Sequence, residues 1–306
     1  MPPCRSLFPR LFVPLLLPML WAAGAGTAAA APLPSDPLAR ECWLSHTRER
    51  TRVNLREPTA VDFSNLKRGA RVRSPFQVDF AVRGMGVVPA GKALDGTGHH
   101  HVLVNTTLPL DVRAKIPFSD THRHFGKGQT GTTLDLPPGR HRLRLLFADH
   151  EHRPYFVFSP EIEVVVTGPR NARPLPITRE NFAADCAAWY EDELARPRPP
   201  GEFVSVLNLR DGEPVVSPFT VRLGVEGFGV CAAGQSAERS GHFMLELSQS
   251  GRRIGTVDLS SGATQTNLSL PVGAYRLTLR FVDGQTRRDL LPPSELDTVV
   301  SAQERL

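Results

Sequence analysis

The sequence contains few of the residues that build the commonest catalytic and metal centres. Its 306 residues include four cysteines, four methionines, three tryptophans and three tyrosines. No two cysteines have the spacing of a zinc-binding pair, and no Gly-x-Ser-x-Gly segment is present. Lysine and arginine are scattered singly at a net charge of +5, without a basic stripe. These absences argue against a thiolate zinc centre, an α/β-hydrolase nucleophile and a nucleic-acid partner.

The sequence also lacks an uninterrupted apolar run long enough to span a membrane. Residues 11–23 are the most apolar stretch, but they are fewer than the roughly 20 residues that a spanning helix needs, and Pro14 and Pro18 interrupt them. Two arginines precede this stretch, and a small-residue cleavage pattern follows at 28–30. This order predicts a secretory signal peptide over residues 1–31. We therefore expect a periplasmic or secreted protein with no membrane span after cleavage.

Three cysteines remain after cleavage, namely Cys42, Cys186 and Cys231. Disulfides persist in the compartment that a signal peptide implies. Three cysteines allow one bridge and one free thiol, or three small buried side chains. The sequence does not choose among these arrangements.

The chain repeats itself, and the repeat predicts a duplicated domain. Short motifs recur in the same order in both halves: Ser-Pro-Phe at 74–76 and 217–219, Gly-x-Gly-Val at 84–87 and 227–230, Gly-His at 98–99 and 241–242, and Leu-x-Leu-Pro-x-Gly at 134–139 and 268–273. The offset falls between these blocks, so the second copy is shorter in the loop spanning about 111–128. We expect this shortening to remove the counterpart of the 122–124 segment from the second copy.

Within each copy, apolar residues alternate with polar ones. Leu143, Leu145 and Phe147 point one way while Arg142 and Arg144 point the other. Such alternation predicts strands with one buried and one solvated face. We therefore expect an all-β protein of two tandem Ig-like antiparallel β-sandwiches, each preceded by a short helix.

The helices are predicted from local signals ahead of each copy. Asp36 and Pro37 form an N-cap and a first-turn proline, and an apolar stripe that includes Cys186 and Trp189 precedes the second copy. The expected segments are a signal peptide (1–31), an N-terminal helical segment (32–57), a His-rich sandwich (58–167), a helix with a Pro-rich linker (168–200) and a degenerate second sandwich (201–306).

Histidines are concentrated in the first copy. Eight of the ten lie between residues 99 and 152, beginning with the run Gly-His-His-His at 98–101. Neutral imidazole is the commonest transition-metal ligand in proteins. A metal or ligand site is therefore one interpretation, and a hydrogen-bonded histidine surface is the other.

The second copy serves as an internal control for these histidines. His99 aligns with His242, which has no histidine companions, so we interpret His99 as structural. His100 aligns with Phe243 on the presumed buried face, so we interpret it as a core residue. His150 and His152 align with Gly284 and Thr286. Residues at i and i+2 share a face of a strand, which favours two ligand pairs. The predicted metal ligands are His101, His122, His124, His150 and His152, with Asp149 and His99 orienting their rings.

Several of these motifs resemble a known bacterial exported family. The run 98–104, the segment His-Phe-Gly-Lys-Gly-Gln-Thr at 124–130, the turn at 134–139 and the segment Ala-Asp-His-Glu-His-Arg-Pro at 148–154 occur in the family's order and spacing. That family is domain-of-unknown-function family 4399. The resemblance covers about residues 58–167 and is weaker in the second copy. It implies an exported β-sandwich module without an assigned activity.

The expected function is that of an exported binding protein with a histidine-lined site for a divalent transition metal or a small ligand. Several imidazoles without thiolates suit Zn(II), Cu(II) or Ni(II) better than Ca(II) or Mg(II). The alternative is a metal-free structural or protein-interaction module of the cell envelope. A metal-assisted hydrolase would need a general base, and Glu151 is the nearest candidate in sequence.

Overall fold

The computed structural model describes residues 30–53, 60–235 and 237–302. Most of the predicted signal peptide, residues 1–29, lies outside the described residues. Ala30 is buried against the second half of the chain, and its backbone N–H donates to the Glu295 carbonyl at 3.3 Å. Within the described ranges, no helix is long and apolar enough to cross a membrane.

The elements are mostly strands. The helices are α1 (Pro37–Ser45), α2 (Thr47–Arg50) and α3 (Phe182–Leu194). The first half contains β1 (Ala60–Phe63), β2 (Arg71–Ser74), β3 (Phe76–Arg83), β4 (Gly86–Val87), β5 (Thr97–Val104), β6 (His122–Phe125), β7 (Gly131–Leu134), β8 (Gly139–Ala148), β9 (Pro154–Phe158) and β10 (Ile162–Pro169). The second half contains β11 (Val204–Val206), β12 (Glu213–Val216), β13 (Phe219–Val225), β14 (Gly229–Val230), β15 (Ser240–Gln249), β16 (Arg252–Asp258), β17 (Gln265–Leu268), β18 (Gly273–Val282) and β19 (Ser294–Ser301).

Each half forms a β-sandwich, as the alternation predicts. In the first, the sheet β1-β3-β7 faces a larger sheet in the order β2-β10-β8-β5-β4. Strand β6 pairs with β5, and β9 pairs with β8. The second half repeats this plan, with β11-β13-β17 facing β12-β19-β18-β15-β14 and with β16 beside β15. Most pairs are antiparallel, but β2 and β12 join the edges of their sheets as parallel strands. The two-residue strands β4 and β14 are also parallel to their neighbours β5 and β15.

The two sandwiches are joined by symmetrical contacts. Val87 of β4 pairs with Val230 of β14, which makes the two larger sheets continuous. The Thr130 hydroxyl donates to the Val225 carbonyl at 3.1 Å. The equivalent Thr264 hydroxyl donates to the Val82 carbonyl at 3.2 Å. Each copy therefore offers the other the same surface, as the subunits of a two-fold dimer do.

The helices are fixed to each other by the only disulfide in the described residues. The Cys42–Cys186 bond joins α1 to α3, and Cys231 remains a buried free thiol. The Asp36 carboxylate accepts a hydrogen bond from the Ala39 backbone N–H at 2.8 Å, which caps α1 as predicted. The disulfide decides the pairing that the sequence left open.

The first sandwich departs from simple alternation where its larger sheet meets loop 105–121. All eight residues of β5 are buried. The inner face packs in the main core. On the outer face, Leu103 and Leu146 pack with Leu108 and Ile116 of the loop and form a small second core. Polar groups on this outer face are therefore shielded from water as well.

Candidate metal centre

Strand β5 places two imidazoles side by side on the outer face of the sheet. His99 and His101 are two residues apart on a strand, so their side chains project from the same face. Both are fully buried. Gly98 lies where the chain passes close to β8, because a Cβ atom there would lie 2.3 Å from the Ala148 carbonyl oxygen. Close packing against β8 therefore explains why a glycine precedes His99.

The other two imidazoles come from different elements. His124 lies opposite His101 in the ladder between β5 and β6. His152 lies in the turn after β8, where its φ of 70° is left-handed. The turn is held by Asp149, whose Oδ1 accepts hydrogen bonds from the backbone N–H groups of Glu151 and Arg153. This turn aims the His152 ring at the sheet.

The four rings form what we call the histidine cluster, defined as His99, His101, His124 and His152. One nitrogen from each ring lies within 4.8 Å of the others. His99 Nε2 is 3.2 Å from His101 Nε2 and 3.0 Å from His152 Nδ1. Among the described residues, the only other ligand-type group this close contains the two disulfide-bonded cysteines.

The ring centres describe a nearly regular tetrahedron with one long edge. Five separations lie between 4.8 and 5.1 Å. The sixth, between His101 and His152, is 6.2 Å. Phe118 from loop 105–121 stacks on His124 with ring centres 4.4 Å apart. The same phenyl ring is 5.0 Å from His152 and 6.2 Å from His101.

The cluster is electrically neutral at physiological pH. Burial, followed by the neighbouring imidazoles, lowers the pKa of His99 to about 3 and that of His101 to about 2. The pKa values of His124 and His152 are also lowered, in both cases chiefly by burial. Neutral imidazoles keep the lone pair that metal coordination requires.

Several nitrogens of the cluster are buried without a hydrogen-bond partner in the described structure. They are His99 Nδ1, His101 Nδ1 and His124 Nε2. A buried polar atom without a partner costs roughly 1–3 kcal/mol. The His124 ring also lies directly over Gly126, where a Cβ atom would lie 2.2 Å from its Cε1 and Nε2. Any side chain at position 126 would therefore force the His124 ring to move.

The structure brings together three of the five predicted ligands, His101, His124 and His152. His122 lies opposite Leu103 in the ladder, two residue pairs beyond His124. Its Nδ1 lies near the hydroxyls of Ser119 and Thr121. His122 thus shares a strand with His124 but lies too far along it to join the cluster.

His150 lies outside the cluster because residues 149–153 form a turn instead of continuing a strand. The rule for residues i and i+2 therefore does not apply to His150 and His152. His150 lines a small recess with Pro89 and Lys92. Among the supporting residues, Asp149 shapes the turn through backbone N–H groups and makes no hydrogen bond to a ring in the described structure.

His99 occupies a more central place than the sequence indicated. It is in ring contact with all three other members of the cluster. The signal that could have identified it is its i, i+2 relation to His101. Glu151, the candidate general base, is ion-paired with Arg153 and is not a member of the cluster.

The second sandwich shows what replaces the cluster. Strand β16 occupies the place of β6, and Asp258 lies opposite Met244 as His124 lies opposite His101. The expectation that this segment is lost from the second copy was therefore wrong. The shorter loop removes residues before the strand and keeps the strand itself.

A salt bridge stands where the first copy has imidazoles. Arg287 has a left-handed φ of 57° in the turn after β18, as His152 does after β8. Its guanidinium pairs with Asp258, and Asp258 Oδ1 lies 3.2 Å from His242 Nε2. His152 therefore corresponds to Arg287 and not to Thr286. In the second copy the Arg287 guanidinium places a positive charge in this turn. In the first copy a neutral imidazole, His152, takes its place.

Fold and site together define a tandem β-sandwich protein with a buried four-histidine cluster in one copy. The sequence matches the profile of the domain of unknown function family DUF4399 at residues 78–167 and again at 221–294. These two matches cover more than half of the chain, and the protein belongs to this family. Both copies are matched, including the second, which has no histidine cluster. No curated protein matches the sequence.

Solved structures with similar strand arrangements include fibronectin modules. The chain is 11% identical to fibronectin(III)-like modules of Clostridium thermocellum CbhA, with 79% of this chain and 94% of that chain covered and a TM-score of 0.23. For the central fibronectin-III array of RIM-binding protein the values are 10% identity, 83% and 72% coverage, and a TM-score of 0.22. Scores this low carry no argument about function.

Proposed function

We propose that this protein is an exported binding protein for a divalent transition metal. The observation that carries the proposal is the convergence of four neutral imidazoles from three separate elements on one buried point. His99 Nε2 lies within hydrogen-bond distance of His101 Nε2 and His152 Nδ1, whereas His124 Nε2 has no partner in the described structure, so hydrogen bonds between the rings account for only part of the convergence. A bound cation would replace these ring-to-ring hydrogen bonds and would use one lone pair from each ring.

The ring separations match those of a metal-bound set. A metal ion about 2.1 Å from an imidazole nitrogen lies about 3.2 Å from the ring centre, so tetrahedral coordination separates ring centres by about 5.2 Å. Five of the six separations are 4.8–5.1 Å. An all-nitrogen set suits Zn(II), Cu(II) or Ni(II). The absence of sulfur ligands from the cluster disfavours Cu(I).

Export is the second part of the proposal. It is supported by the predicted signal peptide over residues 1–31 and by the Cys42–Cys186 disulfide, since such bonds persist in oxidising compartments. Mass spectrometry of the protein recovered from the periplasm or medium of an expressing bacterium is expected to show a chain lacking about 30 N-terminal residues. A full-length chain retained in the cytoplasm would contradict export.

Metal binding is tested with two matched pairs of variants. His124→Ala and His152→Ala remove members of the cluster, while His122→Ala and His150→Ala remove histidines two residues away. Calorimetric titration with Zn(II) and with Cu(II) is expected to give one equivalent bound by the wild-type protein. The first pair should weaken binding at least about 100-fold, since loss of a ligand exceeds the effect of a supporting residue. The second pair should change it less than about threefold.

Two outcomes would overturn the metal assignment. One is a wild-type protein that binds no stoichiometric metal, and the other is unchanged affinity in both cluster variants. Circular dichroism of each variant shows whether the sandwich is intact. In either case the metal-free interaction module would stand as the better proposal, supported by the exposed rings of Phe156 and Phe158 on β9.

A further inference from the structure

The long edge of the histidine tetrahedron has a chemical consequence. Ring centres 6.2 Å apart, each about 3.2 Å from a common ion, subtend roughly 150° at that ion, against about 110° for a regular tetrahedron. The other five pairs remain close to the tetrahedral separation. His101 and His152 are thus splayed apart, and an ion held by the four rings would be least enclosed between these two.

Phe118 identifies the side on which this opening lies. Its ring contacts both His101 and His152, the two members that flank the opening, and stacks on His124. No ring contact joins it to His99, which lies on the other side of the cluster. Phe118 is 60% exposed, so it separates the cluster from solvent as a single side chain on a loop.

Charge determines which ligand this position would favour. Four neutral imidazoles leave a divalent ion with its full charge in a buried site. Asp149 is the nearby carboxylate, but its Oδ1 is already bonded to two backbone N–H groups. Lys115 adds positive potential beside His152. A small anion is therefore favoured over a neutral or cationic ligand.

We infer that the metal site has a fifth coordination position, between His101 and His152 and beneath Phe118, which takes a small monodentate anion. This inference rests on the proposed metal binding. It makes the histidine cluster a site that binds an anion reversibly as well as a metal ion. Displacement of Phe118 from its stack on His124 is the step that admits the anion.

The test uses the mature protein, without the predicted signal peptide, loaded with one equivalent of Cu(II). Azide is the probe. Titration with azide is expected to produce a saturable azide-to-copper charge-transfer band, with the copper content unchanged after desalting. Phe118→Ala should bind azide about two- to tenfold more tightly, the range set by the aromatic contacts that no longer need to be broken. Phe156→Ala is the matched control, because this exposed ring makes no contact with the cluster in the described structure.

The outcomes separate this inference from the proposed function. Stoichiometric copper without an azide band in either the wild-type protein or Phe118→Ala would overturn the fifth position and leave metal binding intact. An azide band with equal affinity in Phe118→Ala and Phe156→Ala would overturn its location beneath Phe118. Failure to bind copper at all would overturn both proposals.

Discussion

His100 offers a sharp test of the packing, because the second copy holds a phenylalanine at the same place. His100 is fully buried between Phe80 and Phe147, with ring centres at 4.9 and 5.0 Å. Neither of its ring nitrogens has a partner in the described structure. The equivalent Phe243 packs against Phe281 at 5.1 Å. We therefore expect His100→Phe to stabilise the protein.

The magnitude follows from two terms that oppose each other. Relieving two unsatisfied buried nitrogens is worth about 2–6 kcal/mol, and fitting the larger ring costs about 1–3 kcal/mol. We expect a net gain of about 1–3 kcal/mol in the free energy of unfolding at pH 7. The gain should depend on pH, because burial lowers the pKa of His100 to about 3.

The sign of the pH dependence follows from proton binding. Below about pH 6.5 the unfolded chain takes up a proton at His100, whereas the folded chain does not until about pH 3. The wild-type protein therefore loses about 1.4 kcal/mol per pH unit from this group as pH falls through that window. His100→Phe lacks this loss, so its advantage should grow by about 2 kcal/mol between pH 6.5 and pH 5.

Urea denaturation at pH 7 and pH 5 measures both effects. The reciprocal change Phe243→His, made in the second copy, is the control and should destabilise the protein more at pH 5 than at pH 7. The reasoning would be refuted if His100→Phe were destabilising at both pH values, or if its advantage were independent of pH. Either result would mean that the His100 ring has partners that the described contacts do not include.

Three further predictions concern the cluster and the helices. Zn(II) at 100 times its dissociation constant should add about 2.7 kcal/mol to the free energy of unfolding; an unchanged thermal midpoint would contradict a folded-state site. Gly126→Ala would place a methyl group against the His124 ring, so calorimetry should show metal affinity reduced at least about tenfold. The circular dichroism spectrum should be unchanged. A variant that binds metal as tightly as the wild-type protein would contradict the close approach of the His124 ring to Gly126. The Cys42–Cys186 bond joins cysteines that are 144 residues apart. Its reduction should lower the free energy of unfolding by about 4–5 kcal/mol, because the unfolded chain gains loop entropy. Equal urea midpoints with and without reductant would contradict this.

The strands and the duplication were readable from the sequence because they depend on local pattern. Leu143, Leu145 and Phe147 are buried as their alternation predicts. His100 packs in the core, as its alignment with Phe243 indicates. Alternation failed to predict the burial of the outer face, because Leu108 and Ile116 reach it from a loop whose path no periodicity describes.

The cluster was only partly readable, for the same physical reason. His99 and His101 share a face because both lie on one strand, and a two-residue period applies there. His150 and His152 have the same spacing, but a turn separates their directions. Alignment without structure also matched His152 to Thr286, whereas the left-handed residue of the turn is Arg287. A turn with one extra residue shifts the correspondence, and the alignment had no signal for it.

The sequence by itself determined the all-β class, the two copies, the capped helix and the region in which the histidines are concentrated. These features follow from periods, caps and repeats that a chain carries locally. Only the tertiary structure decided that His99 belongs with His101, His124 and His152, and that Cys42 pairs with Cys186. Both groupings depend on distances between separate elements, which the ladder register and the packing of loop 105–121 set.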